Sequence, residues 1–465
     1  MPRPLPPPIA PTSKLPVGAP HVPVAIVGAG ACGLTAALAL REAGLGCLLL
    51  ERDAAPSGST ALSSGFIPAA ATRAQADAGV VDSAEAFAAD IAAKAHGRAA
   101  AHLVQAYAQA SAPALALLER QGLRFELLDG FLYPGHGLRR MHTLAGRTGA
   151  ALMTALQRAA LAAGADYLGS ARVITLHADA QGRIHGLAFD RPDGMREHLR
   201  CDALLLACNG FGGNTALVAE WLPQMRGAPF AGHAGNDGSA MRWGRALGAA
   251  VADLGGYQGH GSWVVPQGAL MTWAVLVRGG VQVNARGERF HDESGGYSEA
   301  AVHVLAQPGG LAWNLFDDTL LALAREFPDF CTAQAAGAVR SAGDVQALAA
   351  IVGCDSAVLQ RTLAEVGPGT SDAFGRSFQR PLAWPLHAVK VTGALFHTQG
   401  GLDIDANCRV RRQGGHLLPN LWAAGGAARG VSGDAVWGYL SGNGLLSAVA
   451  GGTIAAQSIA RELNR

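Results

Sequence analysis

The chain has 465 residues, 49% of them hydrophobic, and 62 glycines, enough for two or three lobes with substantial cores and too apolar for a disordered protein. Its 36 basic and 35 acidic residues leave a formal charge of +1 with no long run of either sign, which excludes a nucleic-acid or anionic-membrane surface. Seven cysteines, at positions 32, 47, 201, 208, 331, 354 and 408, form no C-x-x-C pair, haem attachment or zinc spacing; they read as buried small hydrophobes of a reducing cytoplasm, and no metal is expected.

Residues 1–21 open as Met1-Pro-Arg-Pro-Leu-Pro-Pro-Pro and are expected to form a flexible, polyproline-like tail over the first strand, without a signal peptide's apolar core. Strand-like Val22–Val27 then runs into Gly28-Ala-Gly-Ala-Cys-Gly33, an apolar helix, and a second strand ending at Glu51. This spacing builds a pyrophosphate cradle. Gly28 turns the chain off the strand, Gly30 admits phosphate oxygens to the backbone, and Gly33 lets the helix pack on the strand. The helix N-terminus supplies N–H groups and partial positive charge, and Glu51 is placed to accept hydrogen bonds from an adenosine ribose.

A Gly58–Gly65 loop follows, then alanine-rich helices near 84–95, 99–121 and 149–163. Segments 171–178 and 184–190 read as a hairpin, and 201–207 as a strand buried on both faces of a parallel sheet, ending in the turn Cys208-Asn-Gly210. From 255 to 385 the Rossmann alternation stops, which marks an inserted capping or substrate domain; 22–254 and 386–465 form the dinucleotide-binding domain. The fold class is therefore α/β, a Rossmann-like domain with an inserted α+β cap. No uninterrupted apolar stretch reaches the roughly 18 residues of a membrane span, and a soluble cytoplasmic protein is expected. There is one dinucleotide fingerprint only, so electrons are expected to come from or go to an external partner.

In that order, the cradle, the Gly58–Gly65 loop, Gly235-Asn-Asp-Gly-Ser, Val283-Asn-Ala-Arg-Gly-Glu-Arg-Phe-His-Asp-Glu293, His397-Thr-Gln-Gly-Gly-Leu-Asp-Ile-Asp405 and Ser441-Gly-Asn-Gly-Leu-Leu446 resemble the flavoprotein family of soluble fumarate reductases, urocanate reductases, succinate dehydrogenase flavoprotein subunits and 3-ketosteroid dehydrogenases. The resemblance covers nearly the whole chain after residue 22. It implies FAD, bound by Gly28, Gly30, Ala31, Cys32, Gly33, Glu51, Arg52, Gly58, Ser59, Thr60, Ser63, Ser64, Gly65, Val173, Ala207, Cys208, Asn209, Gly210, Asp237, Gly425, Gly442, Asn443, Gly444 and Leu445. Ser59 stands where membrane-bound relatives attach FAD through a histidine, which implies non-covalent flavin. Gly426 stands where relatives often carry a glutamate. The opening of the last helix would face the flavin edge that becomes anionic on reduction.

By the same resemblance the catalytic candidates are His260, Arg289, His397 and Tyr439. Arg289 resembles the arginine that donates a proton in fumarate reductases, although its usual relay glutamate is replaced by Trp273, with Arg278 nearby, so the alternative is that Arg289 only orients substrate charge. His260 and His397 resemble histidines that grip a substrate carboxylate at the domain interface. Tyr439 takes the place of a second carboxylate-clamping arginine and resembles the ketone-binding tyrosine of steroid dehydrogenases; a phenol cannot make the bidentate contact of a guanidinium. The implied reaction is hydride transfer between flavin N5 and a C–C bond beside a carbonyl or carboxylate, in an enoate-type reductase or the reverse dehydrogenase. Alternatives are a 3-ketosteroid 1-dehydrogenase-like desaturase and a flavin-carrying subunit that turns over only with a partner. His136, His142, His233 and His291 are expected to be structural or surface residues.

Overall fold

The continuous apolar runs of the sequence become the middle of a parallel sheet. The computed structural model describes residues 7–129, 132–369 and 372–464. They form two units: Met1–Leu222, Gly232–Tyr257 and His397–Arg465 make the first, Pro223–Ala231 and Gln258–Phe396 the second.

In the first unit, β1 (Ile9–Pro11), β2 (His21–Val27), β3 (Cys47–Leu50), β4 (Asp166–Leu168), β5 (Arg172–Ala178), β6 (Ile184–Asp190) and β7 (Arg196–Leu206) lie in the order β1-β5-β6-β7-β2-β3-β4. Strand β7 begins antiparallel to β6, pairing Arg196 with Asp190, and then runs parallel to β2, pairing Leu206 with Val27. Val27 in turn pairs with Leu50 of β3. Helix α1 (Ala31–Glu42) is buried along its whole length from Ala31 to Leu40. Its many alanines allow this close packing, because each removes little volume between neighbours.

The expected helices are α2 (Ala84–Lys94), α3 (Ala101–Arg120) and α4 (Gly149–Ala162), and the expected hairpin is β5–β6. Ser83 and Thr148 cap α2 and α4 by accepting the Ala86 and Ala151 amides, the local signal that starts each helix. Helix α5 (Ser239–Ala246) completes this part.

The expected tail needs correction. Ile9–Pro11 is a strand parallel to β5, pairing Ile9 with Leu176, at the far edge of the sheet from β2, and Leu15 is buried. Proline is tolerated there because an edge strand needs donors on one side only. Residues 1–6 lie outside the described residues.

The second unit is an antiparallel sheet with helices, the α+β pattern. Strand β8 (Tyr257–Val264), β9 (Val281–Val283), helix α6 (Tyr297–Leu305), β10 (Leu311–Asp317) and β11 (Leu386–Thr398) appear in turn along the chain. The strands order as β8-β11-β10-β9, with Leu315 of β10 facing Val281 and Ala388. This unit ends at Phe396, beyond residue 385, and takes in Pro223–Ala231. That stretch zips onto the end of β11, where Leu395 N donates to Pro229 O and Ala231 N donates to Leu395 O.

The chain then returns to the first unit through β12 (Arg409–Arg411), β13 (Leu417–Ala423), which runs parallel to β7 with Leu421 beside Leu204, and α7 (Asn443–Leu463). No single helix among the described residues is long and apolar enough to cross a membrane. The cysteines are free. Cys32, Cys47, Cys201 and Cys408 are buried, but Cys331 is exposed, on the outer face of the short helix Pro328–Ala335, against the expectation that all are interior.

Candidate active site

Parallel register brings the carboxyl ends of β2, β3, β7 and β13 to one edge, so that Gly28, Glu51, Ala207–Gly210 and Gly425 follow four adjacent strands. Two of the cradle glycines are demanded by the protein itself. A Cβ on Gly28, whose φ is +103°, would lie 2.6 Å from Ala207 O, and one on Gly33 would lie 2.0 Å from Gly28 O. Gly30 is different: the nearest atom to its missing Cβ is Thr60 Oγ1 at 3.6 Å, which leaves the space a phosphate needs. Thr60 Oγ1 also accepts the Ala31 amide at 3.1 Å, while Cys32 and Gly33 contribute first-turn amides of the kind that face an anion. Gly33→Ala is therefore expected to yield protein with little or no bound flavin, read from visible absorbance per polypeptide; full flavin content would contradict the cradle.

Glu51 is held by the Ala29 amide on Oε2 (2.9 Å) and the Asp53 amide on Oε1 (3.1 Å). A carboxylate has about four acceptor positions, so two remain for ribose hydroxyls. Arg52 donates to Gly235 O at 2.8 Å and pairs with Asp237, whose Oδ1 accepts the Ser239 amide at 3.0 Å where α5 begins. Val173 and Asp237 line a cavity of about 520 Å³ beside Arg172 and Arg242.

In the Gly58–Gly65 loop, Ser59 Oγ accepts Asn236 Nδ2 at 2.8 Å. Ser63 Oγ donates to Thr60 O and accepts the Gly65 amide, at 2.7 and 3.1 Å, while Ser64 is half-buried and Gly58 faces open space. The glycine at 426 also has a local reason. A Cβ there would lie 2.1 Å from Asn209 Oδ1, so Asn209 fills the space a longer residue would need. Gly425, at φ +61°, brings its turn against Cys32.

The opening of α7 gathers buried polar side chains. Gly442, with φ +86°, and Gly444 both allow close approach: a Cβ on Gly444 would lie 2.6 Å from His397 Nε2. A chain of hydrogen bonds runs from Asn443 Nδ2 to Ser432 Oγ (3.0 Å), from Ser432 to Gln399 Oε1 (2.8 Å), and from Gln399 Nε2 to His397 Nδ1 (3.0 Å). Nδ1 also lies 3.3 Å from Thr398 O; with the nearer Gln399 amide donating to Nδ1, the proton is assigned to Nε2. Burial holds His397 neutral, its pKa pushed down to about 4. Its ring meets Tyr439, which is buried, edge-on at 5.5 Å. Asn443 Oδ1 and Ser447 Oγ are buried without partners among the described residues, one helical turn apart. Leu445 is half-buried beside them. These orphaned groups at a helix N-terminus fit the polar edge of a flavin.

The second unit holds the other two candidates. His260 lies between Gly259 and Gly261 of β8, stacked on Tyr297 at 4.8 Å, with Trp273 edge-on at 5.7 Å and Phe396 at 5.6 Å. Burial pushes its pKa down to about 3, and its Nδ1 accepts the Ser262 amide, so Nε2–H is the donor it can offer. In both histidines burial favours the neutral ring.

Arg289 lies in a buried ion-pair cluster of the same unit. Its Nε and Nη2 donate to Glu293 at 2.9 and 2.6 Å and its Nη1 donates to Asp372, with the side chain buried. Arg376 joins the same Glu293 at 2.9 Å. Burial alone would lower the Arg289 pKa, but the Glu293 and Asp372 carboxylates outweigh it and raise it above its ordinary value. A guanidinium committed to two carboxylates is a poor proton donor. Glu293 also accepts the Gln282 amide at 2.9 Å, and Gln282 Nε2 donates to Gly261 O at 2.8 Å, next to His260. Arg289 thus braces the strand that carries His260.

His136 Nε2 donates to Ser441 O at 2.9 Å. His142 contacts Thr72 at 2.7 Å, His233 pairs with Asp53 at 3.0 Å, and His291 meets Gln282 Oε1 at 2.7 Å. The residues that sequence reasoning passed over are Tyr297, Phe396, Asp372 and Arg376. Only Tyr297 carries a local signal, since Gly295-Gly296 directly before it marks a helix start.

The buried histidines make the fold acid-labile. Burial holds His260 near 3 and His136, His291 and His397 near 4, whereas an unfolded histidine takes its proton near 6.5. The unfolded state therefore binds more protons below about pH 6.5, and stability falls with pH from there toward the folded values, by about 1.4 kcal/mol per unit for each such histidine. Melting temperatures are expected to drop steeply between about pH 7 and 5; a flat profile would contradict the buried neutral rings.

A parallel sheet with a phosphate cradle at its carboxyl edge, and an orphaned polar patch at a helix N-terminus, define a flavin-dinucleotide protein. The chain belongs to the FAD binding domain family, whose model matches residues 23–445, and its cofactor is FAD. It is 27% identical over 453 residues to a fumarate reductase (cytochrome) of Shewanella frigidimarina, covering 95% of this chain and 78% of that one. It is 25% identical to the urocanate reductase of Eggerthella lenta, covering 87% and 69%. The open conformation of a flavocytochrome c3 fumarate reductase superposes with a TM-score of 0.81 at 27% identity, covering 96% and 79%. The fold is also that of the 3-ketosteroid-delta4-(5alpha)-dehydrogenase of Rhodococcus jostii RHA1, with a TM-score of 0.78 at 24% identity, covering 97% and 99%.

Proposed function

We propose that the protein is an FAD-dependent oxidoreductase acting on a C–C bond beside a carbonyl or carboxylate, as an enoate-type reductase or the reverse dehydrogenase. The observation that carries this is the His397–Tyr439 pair at the opening of α7, two neutral groups in the flavin-binding unit. FAD, when bound, supplies the two-electron exchange. The chain's own residues supply the rest. Negative charge gathers on the carbonyl oxygen as its β carbon is reduced, and buried donors stabilise it best because they need no reorganisation. Tyr439 O–H and His397 Nε2–H are such donors. Arg289 positions the second unit's strand. The relatives named for fumarate and urocanate reduction support the reaction class.

The flavin is held non-covalently, since Ser59 occupies the attachment position; the electron donor or acceptor is external, and the protein works in the cytoplasm. Acid precipitation is expected to release all yellow colour into the supernatant. The decisive experiment is anaerobic: photoreduced holoprotein is mixed with unsaturated acids and enones while flavin reoxidation is followed. Rapid reoxidation by at least one supports the proposal, and also removes the reading as a passive flavin subunit; no reoxidation by any overturns it. Tyr439 gives a second reading some weight, desaturation of a cyclic ketone, which dye reduction with androstenedione tests.

A further inference from the structure

Thr398 and Gln399 compete for the same ring nitrogen of His397. The Gln399 amide nitrogen lies 3.0 Å from Nδ1, and the Thr398 carbonyl oxygen 3.3 Å from it. A neutral imidazole has one N–H and one bare nitrogen. Nδ1 therefore either accepts from the amide or donates to the carbonyl, and Nε2 takes the opposite state. Nε2 points at the gap that Gly444 leaves at the start of α7, where a Cβ would lie 2.6 Å away. Which neighbour holds Nδ1 decides whether the ring presents a donor or an acceptor at the opening of that helix.

The residues behind Gln399 settle the competition. Gln399, Ser432 and Asn443 are all buried, and all belong to the first unit. The Ser432 hydroxyl has one proton, which goes to Gln399 Oε1 at 2.8 Å, while its oxygen accepts Asn443 Nδ2 at 3.0 Å. With its oxygen committed to Ser432, the Gln399 amide turns its nitrogen toward His397. Rotating that amide by half a turn would face Ser432 with two N–H groups and strand its hydroxyl proton. Rotating Asn443 as well would relieve Ser432, but only by exchanging the partnerless Asn443 Oδ1 for a partnerless N–H. Buried N–H groups are the ones that proteins leave unpaired least often. The backbone is arranged around this amide. Gln399 N donates to Gly256 O at 2.8 Å and Gly430 N donates to Gln399 O at 2.7 Å. A Cβ on Gly430 would press to within 3.0 Å of Gln399 Oε1, so glycine leaves the amide its place.

Resting on the reaction class proposed above, we infer that Gln399 is a positioning residue for His397: its amide, oriented by Ser432 and Asn443, keeps the ring proton on Nε2 against the pull of the Thr398 carbonyl, so that His397 meets the substrate carbonyl oxygen as a donor. Without the amide, Nδ1 donates to Thr398 O and Nε2 presents a lone pair, which repels the negative charge gathering on that oxygen. Gln399 acts through the ring and touches no reacting atom.

The test reads the tautomer directly, by nuclear magnetic resonance of oxidised holoprotein carrying isotope-labelled histidine at neutral pH. Signals lost in His397→Gln identify the ring. Nε2 is recognised by its coupling to both carbon-bound ring protons, and a protonated nitrogen resonates well apart from a bare one. In wild type the proton is expected on Nε2. Gln399→Leu removes the amide at similar volume and is expected to move the proton to Nδ1 at unchanged flavin content. Its kcat is expected to fall about 10²-fold, with KM changed less than about threefold. Ser432→Ala leaves the amide but frees it to turn, and is expected to show both tautomers. A merely structural role would lower stability and leave the proton where it was. A wild-type proton on Nδ1, or one that stays on Nε2 in Gln399→Leu, overturns the inference. If Gln399→Leu holds no flavin, an unchanged tautomer in Ser432→Ala overturns it instead, and loss of flavin from both variants does so by assigning these residues to cofactor binding. The reoxidation screen separates the two levels. If an unsaturated acid or enone reoxidises the flavin while the wild-type proton sits on Nδ1, the inference falls and the reaction class stands. If none does while the proton sits and moves as expected, the reaction class falls and the control of the ring by Gln399 stands.

Discussion

Tyr439→Phe is expected to leave FAD content unchanged and to lower kcat about 10²- to 10³-fold, with a much smaller change in KM. The substitution keeps the ring, and with it the edge-on contact to His397. It removes one hydroxyl from a buried residue, and buried donors aimed at developing charge carry effects of about 3 kcal/mol. Ground-state binding depends less on that hydrogen bond than the charged transition state does, so the loss falls on turnover. The measurement is steady-state turnover with the substrate ranked first in the reoxidation screen, alongside flavin absorbance per polypeptide. A variant retaining more than a third of wild-type kcat would remove Tyr439 from the chemistry. The same result with lost flavin would instead assign it to holding the cofactor.

Glu293→Ala is expected to destabilise the second unit by about 3–5 kcal/mol, the largest stability effect of any single side chain named above. Glu293 is fully buried and accepts from two guanidinium groups, at 2.6 Å from Arg289 and 2.9 Å from Arg376, as well as from the Gln282 amide. Its removal strands two buried cations, and the cost is their uncompensated desolvation rather than the loss of a favourable pair. Burial alone would raise the Glu293 pKa, but the Arg289 and Arg376 charges outweigh it and hold it below the ordinary carboxylate value. Asp372 is lowered in the same way, its burial outweighed by Arg289. The stabilisation is thus complete above the unfolded carboxylate range near 4 and is lost as pH falls through the folded values. Urea unfolding of wild type and variant at neutral pH measures the difference. A change below about 1 kcal/mol would mean that water reaches the cluster and screens it.

The two kinds of information divide cleanly along this chain. Gly28, Gly30, Gly33 and Glu51 were legible because a strand, a tight turn and a helix are built from neighbours in sequence, although the atom that a Gly28 Cβ would meet, Ala207 O, comes from another strand. Helices α2, α3 and α4 were legible for the same reason: apolar spacing and capping residues act over a few positions. The ion-pair partners of Arg289 were not. Its partner Glu293 lies one helical turn's worth of chain away, but Asp372 and Arg376 come from a distant stretch with no pattern of its own. The N-terminal strand was missed likewise, since what orders Ile9–Pro11 is the open edge of β5, a surface created only by folding.

From its sequence alone this protein was determined to be a flavin-dinucleotide binder with an inserted second unit, and its four candidate side chains could be named. Only the tertiary structure decided their surroundings: His260 and His397 buried in conditions that favour the neutral ring, and Arg289 held by two carboxylates. The reason is physical. Backbone geometry follows from local sterics and local hydrogen bonds, whereas the charge and availability of a side chain depend on desolvation and on partners that arrive from tens to hundreds of residues away.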